Sequence, residues 1–289
     1  ESAIPFSGLG MYTANEIRHG ERIFYGDVVV QVEDMNLNTK LRHWADEDFD
    51  YNEPRWLLNN YYWEPSSIHA EYDAMNVQSI IPGLGMLANS HTGLVNADNK
   101  PPTRFADLKR YRDPGAGAST TYHDVHYRAI SDIEAGAELY VRYGDDWFEE
   151  REQLGEIPLS RDFKLADRSV HLLNEIADAM EEDDDDKEKM ALEALQLLAN
   201  MTMSRPRLSN AFPKDAESFK TALRSGTAAL SVPNRVRSRE WLDENGQCLD
   251  NIRPDKSTIR QAGRGAFATR SIRKGDVISP MPVVHVRRY

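Results

Sequence analysis

The sequence predicts an α+β fold that is rich in β-strands and carries a separate helical region. Residues 8–30 and 122–143 read as short strands joined by turns, because β-favouring residues alternate between glycines. The pattern changes after Gly144, where apolar residues recur at helical spacing. The chain has 289 residues, of which 40% are hydrophobic and 28% charged, and this suffices for a substantial core. It contains no run of about eighteen apolar residues, so the sequence predicts no transmembrane helix.

Charge is distributed unevenly along the chain. Residues 1–150 hold 12 Lys and Arg against 25 Asp and Glu, residues 151–249 carry a net charge of −5, and residues 250–289 carry +6. The total of −12 argues against general nucleic-acid binding and favours a cationic partner. Asp46 and Asp48 lie in the densest acidic patch and are candidates for receiving a Lys- and Arg-rich peptide. A solvated charged face is the favoured alternative for the same patch.

Local patterns predict the order of the elements. Residues 97–121 are dominated by Pro, Gly, Ser, Thr and Asp, which indicates a loop, and Ala135-Gly136 marks a turn between two strands. The acidic residues 181–186 are predicted to form a loop between two helices, and Ser238 to cap a short helix that ends at Asn245-Gly246. The two helices are predicted from apolar faces, which consist of Leu172, Leu173, Ile176 and Met180 in the first and Met190, Ala194, Leu197, Leu198 and Met201 in the second.

The sequence contains an internal repeat with an ungapped offset of 255 residues, which matches a segment starting at Ser7 to one starting at Ala262. The second copy is too short to bury a core by itself, so we expect its strands to pair elsewhere or the unit to be incomplete. The matched pairs are Gly8 and Gly263, Gly10 and Gly265, Tyr12 and Phe267, Ile17 and Ile272, Arg18 and Arg273, Gly20 and Gly275, Ile23 and Ile278, and Val29 and Val284.

Three motifs carry the functional argument, and each of them is common when taken alone. The first is Gly8-Leu9-Gly10, which by itself indicates a tight turn. The second, residues 83–96, is an apolar run followed by polar residues, and by itself it indicates a capped loop. The third, residues 129–145, reads as a strand, a turn and a second strand that contains Tyr143 beside a glycine.

In this order, the three motifs resemble those of the SET-domain protein lysine methyltransferases. The matching features are the G-x-G element at Gly8, the run I-x-x-G-E-x-I at residues 17–23, and the stretch A-x-x-D-I-x-x-G-x-E-L-x-x-x-Y-G at residues 129–144. The resemblance implies small sheets of SET type around a knot-like crossing of the C-terminal segment. It divides the chain into a SET domain at 1–150, a helical region at 151–249 and the incomplete start of a second SET-like unit at 250–289.

The resemblance also implies a reaction, which is the transfer of a methyl group from S-adenosylmethionine to a lysine of a basic protein or peptide. Tyr143 is the implied catalytic residue, with its hydroxyl near the methyl group and the amine. Tyr122 and Tyr127 are candidates for the wall of the lysine channel, with a core or surface position as the favoured alternative. The implied cofactor contacts are Gly8, Leu9, Gly10, Asn89, Ser90, His91 and Trp147, with Trp147 against the adenine.

Two further hypotheses stay open. The loop begins Asn89-Ser90-His91, where the family has Asn-His-Ser-Cys, and this departure favours a SET-shaped binding module without catalysis. The basic segment 250–289 favours a swapped homodimer or pairing with a partner chain. No metal, direct nucleic-acid contact or membrane contact is predicted, and the single cysteine excludes a cysteine-rich zinc site. That cysteine favours the nucleus or cytoplasm, while a secreted chain whose leader precedes Glu1 stays open.

Overall fold

The computed structural model of the chain describes residues 1–27, 30–33, 62–63, 77–80, 83–100, 125–151, 154–180, 184–202, 204–260 and 264–278. The chain divides into two units, each assembled from separate stretches. The first unit contains residues 1–16, 89–97 and 132–239, and the second contains residues 17–88, 98–131 and 240–289. The predicted α+β class is confirmed, because small antiparallel sheets occur together with several helices. The knot-like crossing and the three domain boundaries stay predictions.

The elements follow one another as alternating short strands and then a run of helices. The strands are β1 (Arg22–Asp27), β2 (Val30–Glu33), β3 (Tyr62–Trp63), β4 (Val77–Ile80), β5 (Ala97–Lys100), β6 (Val125–Ala129), β7 (Ile252–Lys256) and β8 (Arg264–Ala268). The helices are α1 (Leu84–Leu87), α2 (Asp145–Glu149), α3 (Ser160–Asp178), α4 (Asp184–Met201), α5 (Pro206–Ser209), α6 (Ala216–Ser225), α7 (Ala228–Ser231) and α8 (Arg239–Asn245).

The helical core of the first unit lies where α3, α4 and α6 pack together. Small residues such as Ala166 and Ala191 let the helices approach closely, and Val170 and Leu195 fill the space between them. The full set of buried residues in this cluster is Ala166, Val170, Ala191, Leu195, Leu208, Phe212, Phe219 and Ala222. The two long helices predicted from periodicity are therefore confirmed as elements.

The faces through which these helices pack differ from the predicted faces. On α3, Leu172 and Ile176 are exposed, and the buried side chains come from another face of the helix. On α4, Leu197 and Met201 are exposed. Each helix carries more apolar residues than fit on one buried face. A prediction from the sequence pattern assigns the larger apolar side chains to that face. Packing instead selects the stripes that contain alanines, because these allow close contact between helix backbones.

The acidic run between the two long helices is shorter than predicted. Residues 184–186 form the first turn of α4, and residues 181–183 lie outside the described part of the chain. Carboxylates are favoured at this position because the helix dipole places partial positive charge at the N-terminus. The predicted short helix after Ser238 is present as α8 and ends at Asn245, as expected.

The loop at residues 89–97 is fastened to the start of α3 within the first unit. The Thr92 hydroxyl donates to the carbonyl of Pro158 at 2.6 Å, and the Ser160 hydroxyl donates to the carbonyl of Thr92 at 3.0 Å. Gly93 leaves no room for a side chain, because a Cβ atom there would lie 2.6 Å from the Phe163 ring. The helical core therefore holds this loop in a fixed position.

The second unit contains the sheets. Strand β6 lies between β1 and β5 in one three-stranded sheet, and β4 lies between β2 and β3 in another. Strands β7 and β8 form a separate antiparallel pair, in which Ile252 is opposite Ala268 and Lys256 is opposite Arg264. The predicted loop at residues 97–121 is wrong for its first four residues, which form β5, and residues 101–121 lie outside the described part. Pairing with β6 overrides the turn-forming composition of Asp98-Asn99.

The internal repeat found in the sequence reappears as a repeated turn in the second unit. The Arg18 amide donates to the Glu21 carboxylate at 3.1 Å, and the Glu21 amide donates back to the Arg18 carbonyl at 2.9 Å. The Arg273 amide donates to the Asp276 carboxylate at 2.9 Å, and the return bond is 3.1 Å. The glycine before each acidic residue has a positive φ, of 79° and 99° respectively. The sequence match thus corresponds to one local geometry used twice.

Within the described residues, no helix combines the length and the apolar character needed to cross a membrane.

Truncating a core residue of α4 tests the corrected helix faces. We expect Leu195→Ala to lower the free energy of unfolding by roughly 2–5 kcal/mol, because it opens a cavity in a fully buried site. The matched control is Leu197→Ala, two residues away and 66% exposed, which should change the free energy by less than about 0.5 kcal/mol. Urea denaturation followed by circular dichroism measures both. Equal losses for the two variants would contradict the assigned faces.

Candidate functional site

The first unit contains Gly8–Gly10, residues 89–96 of the second motif and residues 132–145 of the third motif, and these parts come together. Residues 136–141 form a central segment, and it pairs with the N-terminal segment, with the loop at residues 89–97 and with residues 235–237. The expected second strand is therefore not part of a simple hairpin, since its neighbours come from distant parts of the chain. The bridging pairs are Tyr12 and Glu138, Asn89 and Tyr140, Ala97 and Val141, and Ala137 and Val236.

The predicted turn at Ala135-Gly136 is confirmed and admits only glycine at its second position. Gly136 has a φ of 87°, and a Cβ atom there would lie 2.0 Å from the carbonyl oxygen of Arg237. The Arg237 amide in turn donates to the Gly136 carbonyl at 2.9 Å. The turn therefore brings residues 235–237 against the central segment.

A buried carboxylate, that of Glu138, lies at the centre of this arrangement. It is 1% exposed. The shortest bonds that it accepts come from the Ser2 hydroxyl at 2.6 Å and the Ala3 amide at 2.8 Å. Further bonds come from the Tyr140 hydroxyl at 2.9 Å, the Tyr12 hydroxyl at 3.3 Å and the Asn89 side-chain amide at 3.4 Å. Donors from each of the three motif regions and from the N-terminus thus compensate the charge of one buried group.

The two phenols that donate to this carboxylate stay protonated. Burial raises the pKa of Tyr140 most strongly, and the negative charge of Glu138 raises it further. The pKa of Tyr12 is also raised, first by burial and then by Glu138, while Arg237 opposes the change. Both hydroxyls therefore act as hydrogen-bond donors within the scaffold.

The two positions of the first motif require glycine for different physical reasons. Gly8 has a φ of 76°, and a Cβ atom there would meet no other atom within 4 Å, so its backbone faces open space. At Gly10 a Cβ atom would lie 2.5 Å from a carboxylate oxygen of Glu138. Leu9 between them is exposed, and its carbonyl accepts a 2.8 Å bond from the Asn89 side chain. Gly10 is thus required by the carboxylate, whereas Gly8 leaves its main chain accessible.

The polar loop of the second motif is joined to the third motif by main-chain and side-chain bonds. The Val141 amide donates to the Asn89 carbonyl at 2.9 Å. The Tyr143 amide donates to the Ser90 hydroxyl at 3.4 Å. Asn96 holds the same strand from the other end of the loop, because its side chain donates to the Glu138 carbonyl and accepts from the Tyr140 amide, each at 2.8 Å.

The side chain of His91 is part of the scaffold and is neutral. Its Nδ1 accepts from the Gly93 amide at 3.2 Å, so the proton lies on Nε2, which donates to the Ser231 hydroxyl at 3.3 Å. The Ser231 hydroxyl in turn donates a hydrogen bond to the carbonyl of Ala228 at 2.6 Å. The ring lies beside Phe163, at a centroid distance of 5.3 Å. Burial lowers the pKa of His91 from 6.5 to about 4.

Tyr143 belongs to a cluster of aromatic rings at the end of the third motif. Its ring centroid lies 5.0 Å from that of Trp147 and 6.4 Å from that of Phe148. The guanidinium of Arg151 lies over the Trp147 ring at 3.9 Å and donates to the Trp147 carbonyl. Tyr143 is half-buried, so the cluster fixes its ring without enclosing it completely.

Of the predicted substrate residues, one lies within the described part of the chain, namely Tyr127. Tyr122, Asp46 and Asp48 lie outside the described residues, so their roles stay predictions. Tyr127 belongs to β6 of the second unit, is 2% exposed and is opposite Ile23, which corresponds to the core alternative. Within the described ranges, no group of three His, Cys, Asp or Glu side chains is placed to hold a metal ion.

Sequence reasoning missed Glu138 and Asn96 as the residues that organise the site. Glu138 lies inside the third motif, but a charged residue in an alternating strand is normally placed on the solvent face. In the structure, Glu138 lies between Ala137 and Leu139 in a segment whose residues are buried on both faces. That double burial depends on distant segments, and no local pattern reports it.

No family model and no curated protein matches the chain. Among solved structures, the chain is similar to the crystal structure of a Plasmodium falciparum protein named as a candidate histone methyltransferase. The TM-score is 0.30 and the sequence identity 18%, over 48% of this chain and 91% of that one. A likeness of this size does not establish a family.

Removing the charge of Glu138 tests its structural role. We expect Glu138→Gln to lower the free energy of unfolding by roughly 1.5–3 kcal/mol. The NH₂ group of glutamine cannot accept the hydrogen bonds that one carboxylate oxygen of Glu138 accepts, so donors such as the Ser2 hydroxyl or the Ala3 amide lose their acceptor. Glu134→Gln is the matched control, since Glu134 is an exposed acidic residue near the same turn and should change little. Chemical denaturation measures both. An unchanged stability of Glu138→Gln would contradict the central role of the carboxylate.

The lowered pKa of His91 predicts a pH dependence of stability. The unfolded chain takes up a proton near pH 6.5 and the folded chain only near pH 4, so stability is fully present above about pH 6.5 and is lost as the pH falls toward 4. We expect His91→Asn to have a flatter profile than the native chain across this window. Thermal unfolding between pH 4 and 7.5 measures the difference, and parallel profiles would contradict the neutral, buried ring.

Proposed function

We propose that the chain is a SET-type protein lysine methyltransferase that uses S-adenosylmethionine. One observation carries the proposal: Gly8–Gly10, residues 89–90 and residues 141–143, which belong to three separate motifs that resemble the family, are joined by hydrogen bonds in the first unit. The Gly8–Gly10 segment is bonded to Asn89, and the Asn89–Ser90 loop is bonded to Val141 and Tyr143. A chance resemblance of three separate motifs would not require them to be neighbours.

The main chain of the first motif fits a cofactor, since the space around Gly8 is open and Leu9 is exposed. The residues that would hold S-adenosylmethionine are the Gly8–Gly10 segment and the main chain of residues 89–91. When bound, the cofactor would supply a methyl group on a positively charged sulfur. The net charge of −13 on residues 1–150 favours a positively charged cofactor and a basic substrate alike.

Tyr143 is the residue with the best properties for aligning the reaction. The lysine ammonium gives up a proton to solvent, and its nitrogen then forms a bond to carbon as the carbon–sulfur bond breaks. This displacement needs alignment more than acid–base assistance. The ring of Tyr143 is held by Trp147 and Phe148, and its main chain is held by Ser90, so its hydroxyl is supported at a fixed place. That hydroxyl can accept a hydrogen bond from the amine and orient its lone pair.

Replacing the hydroxyl of Tyr143 tests the proposal. We expect Tyr143→Phe to lower the rate of methyl transfer from labelled S-adenosylmethionine to a panel of lysine-rich proteins by about a hundredfold or more. The variant keeps the ring that packs on Trp147, so its melting temperature and its affinity for the cofactor should match the native chain. Equal turnover by the two proteins would contradict the role of Tyr143, and no transfer by the native chain would contradict the proposed activity.

A second candidate function, a SET-shaped binding module without catalysis, is favoured by the surroundings of Trp147. Arg151 covers one face of the indole ring, and Tyr143 and Phe148 pack against it. Adenine would have to displace one of these neighbours in order to stack there. Calorimetric titration with S-adenosylmethionine separates the two functions, because a binding module that has lost catalysis should give no heat of binding, whereas the enzyme should bind the cofactor before any substrate is present.

A further inference from the structure

The indole ring of Trp147 already carries a positive charge over its face. The guanidinium carbon of Arg151 lies 3.9 Å from the centre of the ring, and Nη1 of the same group donates to the Trp147 carbonyl at 2.8 Å. An aromatic face attracts a cation because its π electrons carry partial negative charge. The ring is therefore placed to bind a cation, and in this structure a side chain of the same chain provides it.

Two neighbouring rings hold the indole in addition to Arg151. The ring centroid of Trp147 lies 5.0 Å from that of Tyr143, with an angle of 57° between the ring planes. It lies 4.9 Å from that of Phe148, with an angle of 75°. Tilted and edge-to-face contacts of this kind are favourable by themselves. The indole therefore keeps its support when the guanidinium leaves its face.

The short helix that carries Trp147 is fastened at both ends to the beginning of α3. At its first residue, the Asp145 carboxylate accepts a 2.8 Å bond from the Ser160 hydroxyl. At its last residue, the Glu149 carboxylate forms an ion pair with Arg161 at 3.2 Å. The backbone beneath the indole is thus held by contacts that do not involve Arg151.

The contact between the guanidinium and the indole is weak enough for a ligand to replace it. A cation–π contact at a partly exposed site changes an equilibrium constant by only about two- to fivefold. Four of the six residues 145–150 are acidic and none is basic, so this segment attracts cations from solution. A cationic ligand therefore competes with Arg151 for the ring on similar terms.

We propose that the face of Trp147 is a binding site for an onium group, meaning a positively charged nitrogen or sulfur that carries alkyl groups, and that Arg151 is a displaceable substitute for this ligand. Onium groups and guanidinium share the property that matters here, since both are weakly hydrated cations that an aromatic face can bind. Exchange of one for the other keeps a positive charge on the ring. The site does not depend on methyl transfer or on the hydroxyl of Tyr143.

Titration with tetramethylammonium chloride tests the site. The full chain is labelled with isotopic nitrogen at its five tryptophans, and Trp147→Phe identifies the indole resonance of Trp147 by its loss. We expect this resonance to shift saturably with tetramethylammonium. Sodium chloride at the same concentrations and neopentyl alcohol, which has the same shape without the charge, should not saturate it. The absence of a saturable shift with tetramethylammonium, or equal saturation by the neutral alcohol, would overturn the proposal.

Replacing Arg151 tests its role as the substitute cation. We expect Arg151→Gln to bind tetramethylammonium about two- to fivefold more tightly than the native chain, because the ligand no longer has to displace a cation from the ring. Arg151→Lys keeps the charge but loses the planar group, and its affinity should lie between the two.

A matched control separates this effect from the general change in charge. Arg142→Gln removes the same charge from an exposed position five residues before Trp147, and it should leave the affinity for tetramethylammonium close to that of the native chain. An affinity of Arg151→Gln equal to that of the native chain, or an equal gain by Arg142→Gln and Arg151→Gln, would overturn the role of Arg151.

Two pairs of ligands distinguish the sources of the onium group. S-adenosylmethionine differs from S-adenosylhomocysteine in the charged, methylated sulfur, and a peptide with trimethyllysine differs from the same peptide with norleucine in the charged, methylated nitrogen. A preference of the Trp147 resonance for the charged member of the first pair assigns the site to a cofactor, and one in the second pair assigns it to a protein ligand. No preference in either pair would overturn the onium chemistry. A chain that binds these ligands but transfers no methyl group would keep the site and lose the proposed activity.

Discussion

The arrangement of the first unit depends on the burial of one negative charge. An ionised carboxylate is costly to remove from water, and it is tolerated here because its oxygens accept bonds from the Ser2 hydroxyl, the Ala3 amide and two phenols. The donors come from the N-terminal segment, which includes Tyr12, and from within the third motif, and the Asn89 side chain of the second motif adds a further donor. Each segment must therefore lie within hydrogen-bond distance of the same point, and this requirement fixes the relative positions of the motifs more strictly than apolar packing would.

The loop at residues 89–97 connects this polar centre to the helical core. At its beginning Asn89 donates to the carbonyl of Leu9, and at its centre Gly93 packs on Phe163 of α3. His91 lies between these points and is held in one tautomer by Gly93 and Ser231. A residue predicted to contact a cofactor thus has a side chain that serves the scaffold. The same loop also positions the catalytic candidate Tyr143, because the Tyr143 amide donates to the Ser90 hydroxyl.

The sequence predicted elements well and their environments less well. Local signals sufficed for the turn at Gly136 and for α3 and α4, because these depend on backbone preferences within a few residues. The buried faces of α3 and α4 were wrong, since the choice among apolar stripes depends on alanines that meet across helices. The role of Glu138 was also beyond local reasoning, because its partners begin at residue 2.

The large separation of Ser2 from Glu138 along the chain has a consequence for biosynthesis. The two residues are 136 positions apart, and the strand neighbour Val236 follows almost a hundred residues later. During synthesis on the ribosome, the segment Gly8–Gly10 emerges long before Glu138, whose carboxylate packs against it. Contacts of such long range form slowly, because a long loop must close before they stabilise anything. Residues 8–10 are therefore translated well before the carboxylate against which Gly10 packs.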